Sequence, residues 1–519
     1  LHEVPPVPYV EPSVNNGGAF MSERHIRSLP WNHRHDVITP QAVDAVHRHS
    51  LETLETVGVT TTNERLLKTM AEHGQNVDFE NKRIRFDPAF VEEKVAMVPR
   101  EFTFYARDPK LDLILDGTRG YLSTDGCPAE IIDLETGKKR YSTKEDLSGV
   151  TRLADALPQV GFIWQSVSAN DKPVPVRPMH EIHAQWNNTT KHIQQMTAID
   201  PFNAQGIIEM AQAIAGSSEA LKARPFLSNF QCSISPLHWD DGPIDAMQLL
   251  AEAGIPVGIC SMPLAGASSP LSIAGLVTMA NTEILSGWVI LQTLVPGAES
   301  MYLSYASTID MNFGIMNPAW AAFEVYSSLA TTQIAKRYGV PFSTWIFSPG
   351  AKYPDWQAGA QSGLSGMAAA LNPGHFLNGA GSLVEDSVYS HAELVLDAEL
   401  FESLCTMADG TGWDDEAFAQ ETVNEVGPGG HFLDQDHTLG HMREFVRQTS
   451  MDRRNWEDWE TQGRPQPPEA ATARARQILA EHEPEPLPDD VAKEVDKVMD
   501  AYEAQAVAND QLGTGTSLG

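Results

Sequence analysis

Short apolar runs recur through the middle of the chain roughly every 30–45 residues, and between them apolar positions return at helical intervals. The clearest unit covers 254–310, GIPVGICSMPLAGASSPLSIAGLVTMANTEILSGWVILQTLVPGAESMYLSYASTID. Residues 256–260 and 301–305 suit buried strands, and 271–295 is apolar on every face with Glu283 as its single charge, the pattern of a helix buried all round. Strand, small polar loop (263–269), buried helix and strand make one βα unit of a parallel sheet. The same alternation predicts strands over 161–167, 192–197, 226–233, 256–261, 301–306, 342–347 and 374–379. Helices are predicted over 206–215, 245–253, 318–338 and 356–371 among them. This is the α/β pattern of a (β/α)8 TIM barrel, with 120–124 as the candidate for the remaining strand. No GxGxxG follows any strand, which counts against a doubly wound open sheet.

The flanks read differently. Residues 1–38 form a Pro- and Asn/Gly-rich extended arm, and Thr39-Pro40 reads as a helix start. Helices follow around 47–57 and 63–73, hairpins over 100–140 and a helix over 144–157. Beyond the barrel, helices are expected over 387–407, 437–448, 469–480 and 490–505, and a disordered Gly/Ser/Thr tail from 512. The expected division is an N-terminal arm with a helical and hairpin extension (1–119), a catalytic barrel (120–407) and a helical C-terminal extension (408–519).

Composition narrows the functions available. A formal charge of -33 disfavours nucleic acid and anionic membranes as partners. The four cysteines are widely spaced with no CxxC, as expected of reduced thiols in a cytoplasmic protein. No signal-peptide pattern opens the printed chain. Residues 271–295 are long enough for a bilayer, but Glu283 at mid-span alone would cost about 2.5–3.5 kcal/mol there, so no membrane span is expected. A homo-oligomer is expected on general grounds.

Ligands of such a barrel bind at the carboxyl ends of its strands. Those ends carry amides and aromatics: Trp164, Gln165, Gln194, Gln195, Asn229, Gln231, Tyr305, Trp345, Phe347, His375 and Asn378. No pair of acids, apolar-run Lys or Gly-x-Ser-x-Gly turn is visible at them. Aromatic faces attract cations, and rings of them recognise quaternary ammonium groups. A second cluster, GPGGHFLDQDHTLGHMR, holds His431, Asp434, Asp436, His437 and His441. His437 and His441 are one helical turn apart, but the Glu of H-E-x-x-H is missing and no Cys is near. A structural or partner-binding loop is therefore preferred to a metal site. In SPGAKYPDWQAG, Lys352 or Asp355 would meet a substrate carboxylate or amide, or Asp355 would simply start a helix. Glu283 needs a buried partner, either Asn281 or a backbone donor.

Three segments resemble signatures of the trimethylamine methyltransferase family, in family order and within 39–480: PLAGASSPLSIAGLVTMANTEILSGWVILQTLVPGAE, SPGAKYPDWQAG, and EVGPGGHFLDQDHTLGHMREF followed by DRRNWEDWETQG. The resemblance implies a TIM barrel that passes a methyl group from an amine to the cobalt of a corrinoid protein. The partner carries the cobalamin, this chain holds no cofactor tightly, and the setting is one-carbon metabolism of the methanogenic type. The founding branch carries pyrrolysine at the barrel mouth. This chain has standard residues throughout, including 342–355, where that residue is expected. The resemblance therefore points to relatives that demethylate quaternary amines such as glycine betaine. Under it, Trp164, Tyr305, Trp345, Phe347 and Trp356 are candidates for an ammonium box. Gln165, Gln194, Gln231, His375 and Asn378 are candidates for the polar end of the substrate, and His431, His437 and His441 for the corrinoid-facing side. No acid–base residue and no metal ligand is assigned. The competing readings are a metal-dependent hydrolase or lyase on the same barrel using the three histidines, a methyltransferase with tetrahydrofolate as acceptor, and a non-enzymatic quaternary-amine-binding protein.

Overall fold

Eight parallel strands alternate with eight helices in the computed structural model, which describes residues 25–32, 35–311, 313–316, 322–442 and 450–511. The strands are β1 (Arg119–Thr124), β2 (Val160–Trp164), β3 (His192–Gln195), β4 (Leu227–Cys232), β5 (Val257–Ser261), β6 (Tyr302–Ser304), β7 (Ser343–Trp345) and β8 (Phe376–Ala380). Each is followed by its helix: α1 (Lys144–Ala156), α2 (Arg177–Trp186), α3 (Pro201–Ala215), α4 (Asp241–Glu252), α5 (Ile273–Leu294), α6 (Ala322–Tyr338), α7 (Trp356–Leu371) and α8 (His391–Asp409). Every predicted strand run holds one of these strands, and the 120–124 candidate is the first of them. Neighbours in the barrel are neighbours in the chain, and β8 returns to β1 through Phe376↔Tyr121 and Leu377↔Leu122. The β6–β7 seam closes by one bridge, Tyr302↔Phe342, with the Tyr302 N–H donating to the Pro341 carbonyl at 2.9 Å.

The all-round apolar character of α5 has a packing cause. One side covers β5 and β6, and the other is covered by the N-terminal helices Pro40–Thr56 and Pro88–Ala96. This helix is long and apolar enough to cross a membrane, and 72% of its apolar window is buried inside the fold. Its charge is also satisfied internally. Glu283 Oε2 accepts the hydroxyls of Ser233 (2.7 Å), Ser235 (2.7 Å) and Ser261 (2.6 Å), and Oε1 accepts the Leu237 N–H at 2.9 Å. The backbone donor expected of Glu283 is present. Asn281 instead serves Ser50, Tyr302 and Tyr338.

The base of the barrel is stoppered. The hairpin of Phe102–Phe104 and Leu113–Leu115 packs into the lumen. Phe104 stacks on His192 at 3.9 Å and on Phe376 at 5.0 Å, and meets Phe162 edge-on at 5.5 Å. Outside the barrel, Pro467–Glu481 packs on α8, and Asp489–Gln511 on α3. The expected arm over 1–24, the tail from 512, and the part of the predicted 437–448 helix beyond 442 lie outside the described residues.

Candidate active site

Strand parity decides which side chains enter the lumen. On β2, Trp164 points in, and on β3, Gln194 does. The Trp164 Nε1–H donates to Gln194 Oε1 at 2.6 Å. Just past β6, Tyr305 lies edge-on to Trp164 (ring centroids 5.7 Å) and to Trp345 of β7 (5.6 Å), and Phe230 backs Trp164 at 5.3 Å. The Tyr305 hydroxyl donates to Asn378 Oδ1 at 3.2 Å, and Asn378 Nδ2 donates to Ser123 at 2.7 Å. Five of the sequence candidates (Trp164, Gln194, Tyr305, Trp345, Asn378) thus form one aromatic floor with an amide frame, part of a single cluster inside the barrel. The loop after β1 lies directly on this floor. A Cβ on Gly126 would meet Met196 Cε at 2.4 Å and Trp164 at 2.9 Å, so any other residue would displace Met196 and press on the Trp164 ring.

The other candidates sit elsewhere. Phe347 follows β7 with φ +53°, which turns its ring outward against Gly366 among the helices, while its backbone N–H donates to Ser365 Oγ at 3.4 Å. Trp356 begins α7 and is 81% exposed. Gln165 and Gln231 have the opposite parity to Trp164 and Phe230 and face the helices. Thr197 donates to Gln165 Oε1 at 2.7 Å, and Gln231 Nε2 reaches the Ala198 carbonyl and Asn229 Oδ1. His375 precedes β8 at the base, edge-on to Trp31 at 4.8 Å, and burial pushes it down to about 3, so it is neutral. Asp355 caps α7, accepting the Gln357 N–H at 2.8 Å. His431 pairs with Asp434 at 3.5 Å, apart from His437 and His441, whose rings lie 4.3 Å from each other.

Buried acids surround the mouth, contrary to the expectation of strand ends without paired acids. Asp125 follows β1 and faces Asp386 from the loop after β8; burial and that neighbour hold it well above the usual carboxylate range. Glu324 of α6, pushed up to about 7 by burial, accepts the Thr308 N–H at 2.6 Å. It lines a cavity of about 30 Å³ beside Trp345, room for a single water. Glu181 of α2, also pushed up to about 7 by burial, accepts the Ala169 N–H at 3.0 Å. Thr197 Oγ1 lies 2.7 Å from Gln165 Oε1 and 3.0 Å from Glu181 Oε2, yet a hydroxyl has one proton. A protonated Glu181 donating to Thr197 resolves the conflict.

This geometry makes stability pH-dependent. An ordinary Glu value is 4.5, so between there and about 7 folded Glu181 keeps a proton that the unfolded chain has lost. Its contribution is intact below that window and is lost as pH rises through 7. Glu181→Gln is expected to raise the Tm at pH 8 and to give no gain at pH 4.5. Equal shifts at both values in thermal unfolding would rule this out.

Residues 19–506 match the family model described as trimethylamine methyltransferase (MTTB). The chain belongs to the trimethylamine methyltransferase family. It is 29% identical over 476 residues to trimethylamine methyltransferase MttB of Desulfitobacterium hafniense (strain DSM 10664 / DCB-2), covering 91% of this chain and 94% of that one. To the glycine betaine methyltransferase of D. hafniense (strain Y51) it is 30% identical over 475 residues, covering 91% and 97%. It is 27% identical over 479 residues to the Methanosarcina barkeri (strain Fusaro / DSM 804) trimethylamine methyltransferase MttB, covering 90% and 94%.

In this family member the wall above the floor carries thiols. Cys232 and Cys260 are register partners on β4 and β5, and Cys127 lies in the loop after β1. Burial holds the Cys127 and Cys260 thiols well above their ordinary range, so both are protonated and poor nucleophiles. Lys352 stands exposed on the rim, where the loop at Pro349–Ala351 pairs with Val384 and Glu385 beside Asp386.

Proposed function

We propose that the chain is a methyltransferase that demethylates a quaternary amine of the glycine betaine kind and hands the methyl group to a corrinoid protein. The carrying observation is the Trp164–Tyr305–Trp345 ring cluster at the carboxyl ends of β2, β6 and β7. Tyr305 meets both Trp164 and Trp345 edge to face, so an ammonium group sits on the rings rather than between them, with its N-methyls against their faces. The chain's formal charge of -33 adds a favourable potential for a cation. Lys352 is the cation available to a carboxylate on the same substrate.

The chemistry needs no acid. The C–N bond breaks, its electron pair stays on nitrogen, and a neutral tertiary amine departs. That agrees with a ring cluster that carries no carboxyl group and whose Tyr305 hydroxyl is held by Asn378. Methyl acceptance by the wall is disfavoured, because the buried thiols stay protonated. A corrinoid partner supplies a Co(I) nucleophile, for which the open mouth is the approach. The chain's residues desolvate the ammonium, fix one N-methyl toward the mouth and exclude water. The catalytic unit of this reading is the barrel over 120–407. Cytoplasmic residence belongs to the same reading, since Co(I) and four free thiols call for a reducing compartment.

The test is transfer from glycine betaine to a Co(I)-loaded corrinoid protein, read as N,N-dimethylglycine formed. Trimethylamine, choline, carnitine and proline betaine serve as comparisons. Transfer from the quaternary amines above that from trimethylamine is the expected result. No transfer from any quaternary amine would sink the reading.

A further inference from the structure

We infer that Glu416, His437 and His441 form a binding site for one divalent transition-metal ion. They come from two short helices, Asp415–Phe418 and Asp436–His441. One ligand atom of each residue lies within 4.8 Å of the other two, the single such group among the described residues. The two histidines are four positions apart and share a helix face, their ring centroids 4.3 Å from each other. His441 Nε2 meets Glu416 Oε1 at 3.0 Å, and His437 Nε2 is shut off from solvent with no hydrogen-bond partner. A buried polar atom left unpaired costs about 1–3 kcal/mol. A cation between the three groups would satisfy that nitrogen and neutralise the carboxylate together.

Two imidazole nitrogens and one carboxylate oxygen favour Zn²⁺, Co²⁺ or Ni²⁺ over Mg²⁺ or Ca²⁺. Three protein ligands leave a fourth tetrahedral position for water. Tetrahedral Zn–N and Zn–O bonds near 2.0–2.1 Å put ligand atoms roughly 3.4 Å apart, so closure from the present spacing is a matter of side-chain rotation. The Glu that H-E-x-x-H would supply from the same helix comes here from a helix about 20 residues earlier.

The surroundings explain what the ion would do. No described residue from 410 to 442 is buried, and Trp413 and Leu433 are 81% and 71% exposed. Helices of four to seven residues do not persist on their own propensity. A metal joining Asp415–Phe418 to Asp436–His441 supplies the cross-link that a core provides elsewhere, and its binding free energy becomes local folding free energy.

The test uses the full chain, stripped with EDTA and dialysed, then titrated with Zn²⁺ by calorimetry and with Co²⁺ by visible absorption. One tight ion per chain and a tetrahedral Co²⁺ spectrum are expected. The double variant His437→Ala/His441→Ala should lose both, with affinity falling by more than the roughly 10–100-fold that a missing outer-shell partner costs. Glu416→Gln, which keeps the side-chain shape, should bind more weakly with the same circular dichroism spectrum. Zn²⁺ should slow chymotrypsin cleavage within 410–442, at Trp413, Phe418 and Phe432 among other sites, in the parent chain only. Equal affinity in parent and double variant, or no binding by the parent at neutral pH, would overturn the assignment.

Discussion

Trp345→Ala is expected to weaken glycine betaine binding by about 30-fold, the equivalent of the ~2 kcal/mol that one desolvated cation–π contact contributes. Trp345 is the half-buried member of the floor, while Trp164 and Tyr305 are 5% and 7% exposed and held by Gln194 and Asn378. Its indole is therefore the face a ligand meets first and the one whose loss disturbs packing least. Trp345→Phe keeps a ring face and should recover part of the affinity. Phe347→Ala removes a ring that points among the helices, so it should lower the Tm without a specific effect on affinity. Calorimetry on the three variants separates these outcomes. Unchanged affinity in Trp345→Ala would remove the aromatic floor from the mechanism.

The second large effect concerns Glu283. Glu283→Ala leaves three serine hydroxyls and the Leu237 N–H without their acceptor in a site where the carboxylate is fully buried. Orphaned buried donors cost about 1–3 kcal/mol each, so a loss of about 3 kcal/mol or more is expected, read as a lower denaturation midpoint in urea. Glu283→Gln keeps one carbonyl acceptor and should lose less. The four donors come from the segment after β4 and the end of β5, so the alanine variant should also lose methyl transfer at temperatures where it remains folded. A midpoint within experimental error of the parent would show that the carboxylate does not organise this wall.

The barrel was legible because its signals are long and redundant. Seven apolar runs at βα spacing admit few other folds, and the strand before them needed only its place in the series. The site was legible at one resolution and not at the next. Choosing polar and aromatic residues near strand ends picked Trp164, Gln194, Tyr305, Trp345 and Asn378, which the barrel brings together. It also gathered Gln165 and Gln231, which period-two parity turns outward. Phe347 shares Trp345's parity, but a left-handed backbone at that residue reverses its side, and nothing local in the sequence announces it. His375 lies at the amino end of β8, where a one-end error in a short strand moves a residue from mouth to base. Asp125 and Asp386 lie far apart in the chain and meet only because β8 closes onto β1. Each is an unremarkable acid until closure puts them together.

The stopper at the base has a consequence for traffic. With Phe104 wedged among His192, Phe162 and Phe376, the base of the lumen is closed, so a ligand of the ring cluster is expected to enter and leave at the carboxyl end of the strands. A bulky acceptor seated over that opening corks the amine inside. On the proposed function, turnover is expected to be ordered: amine first, acceptor second, acceptor away, demethylated amine last. Raising the acceptor concentration should eventually slow the enzyme by covering the opening before the amine enters, and that inhibition should ease as the amine concentration rises.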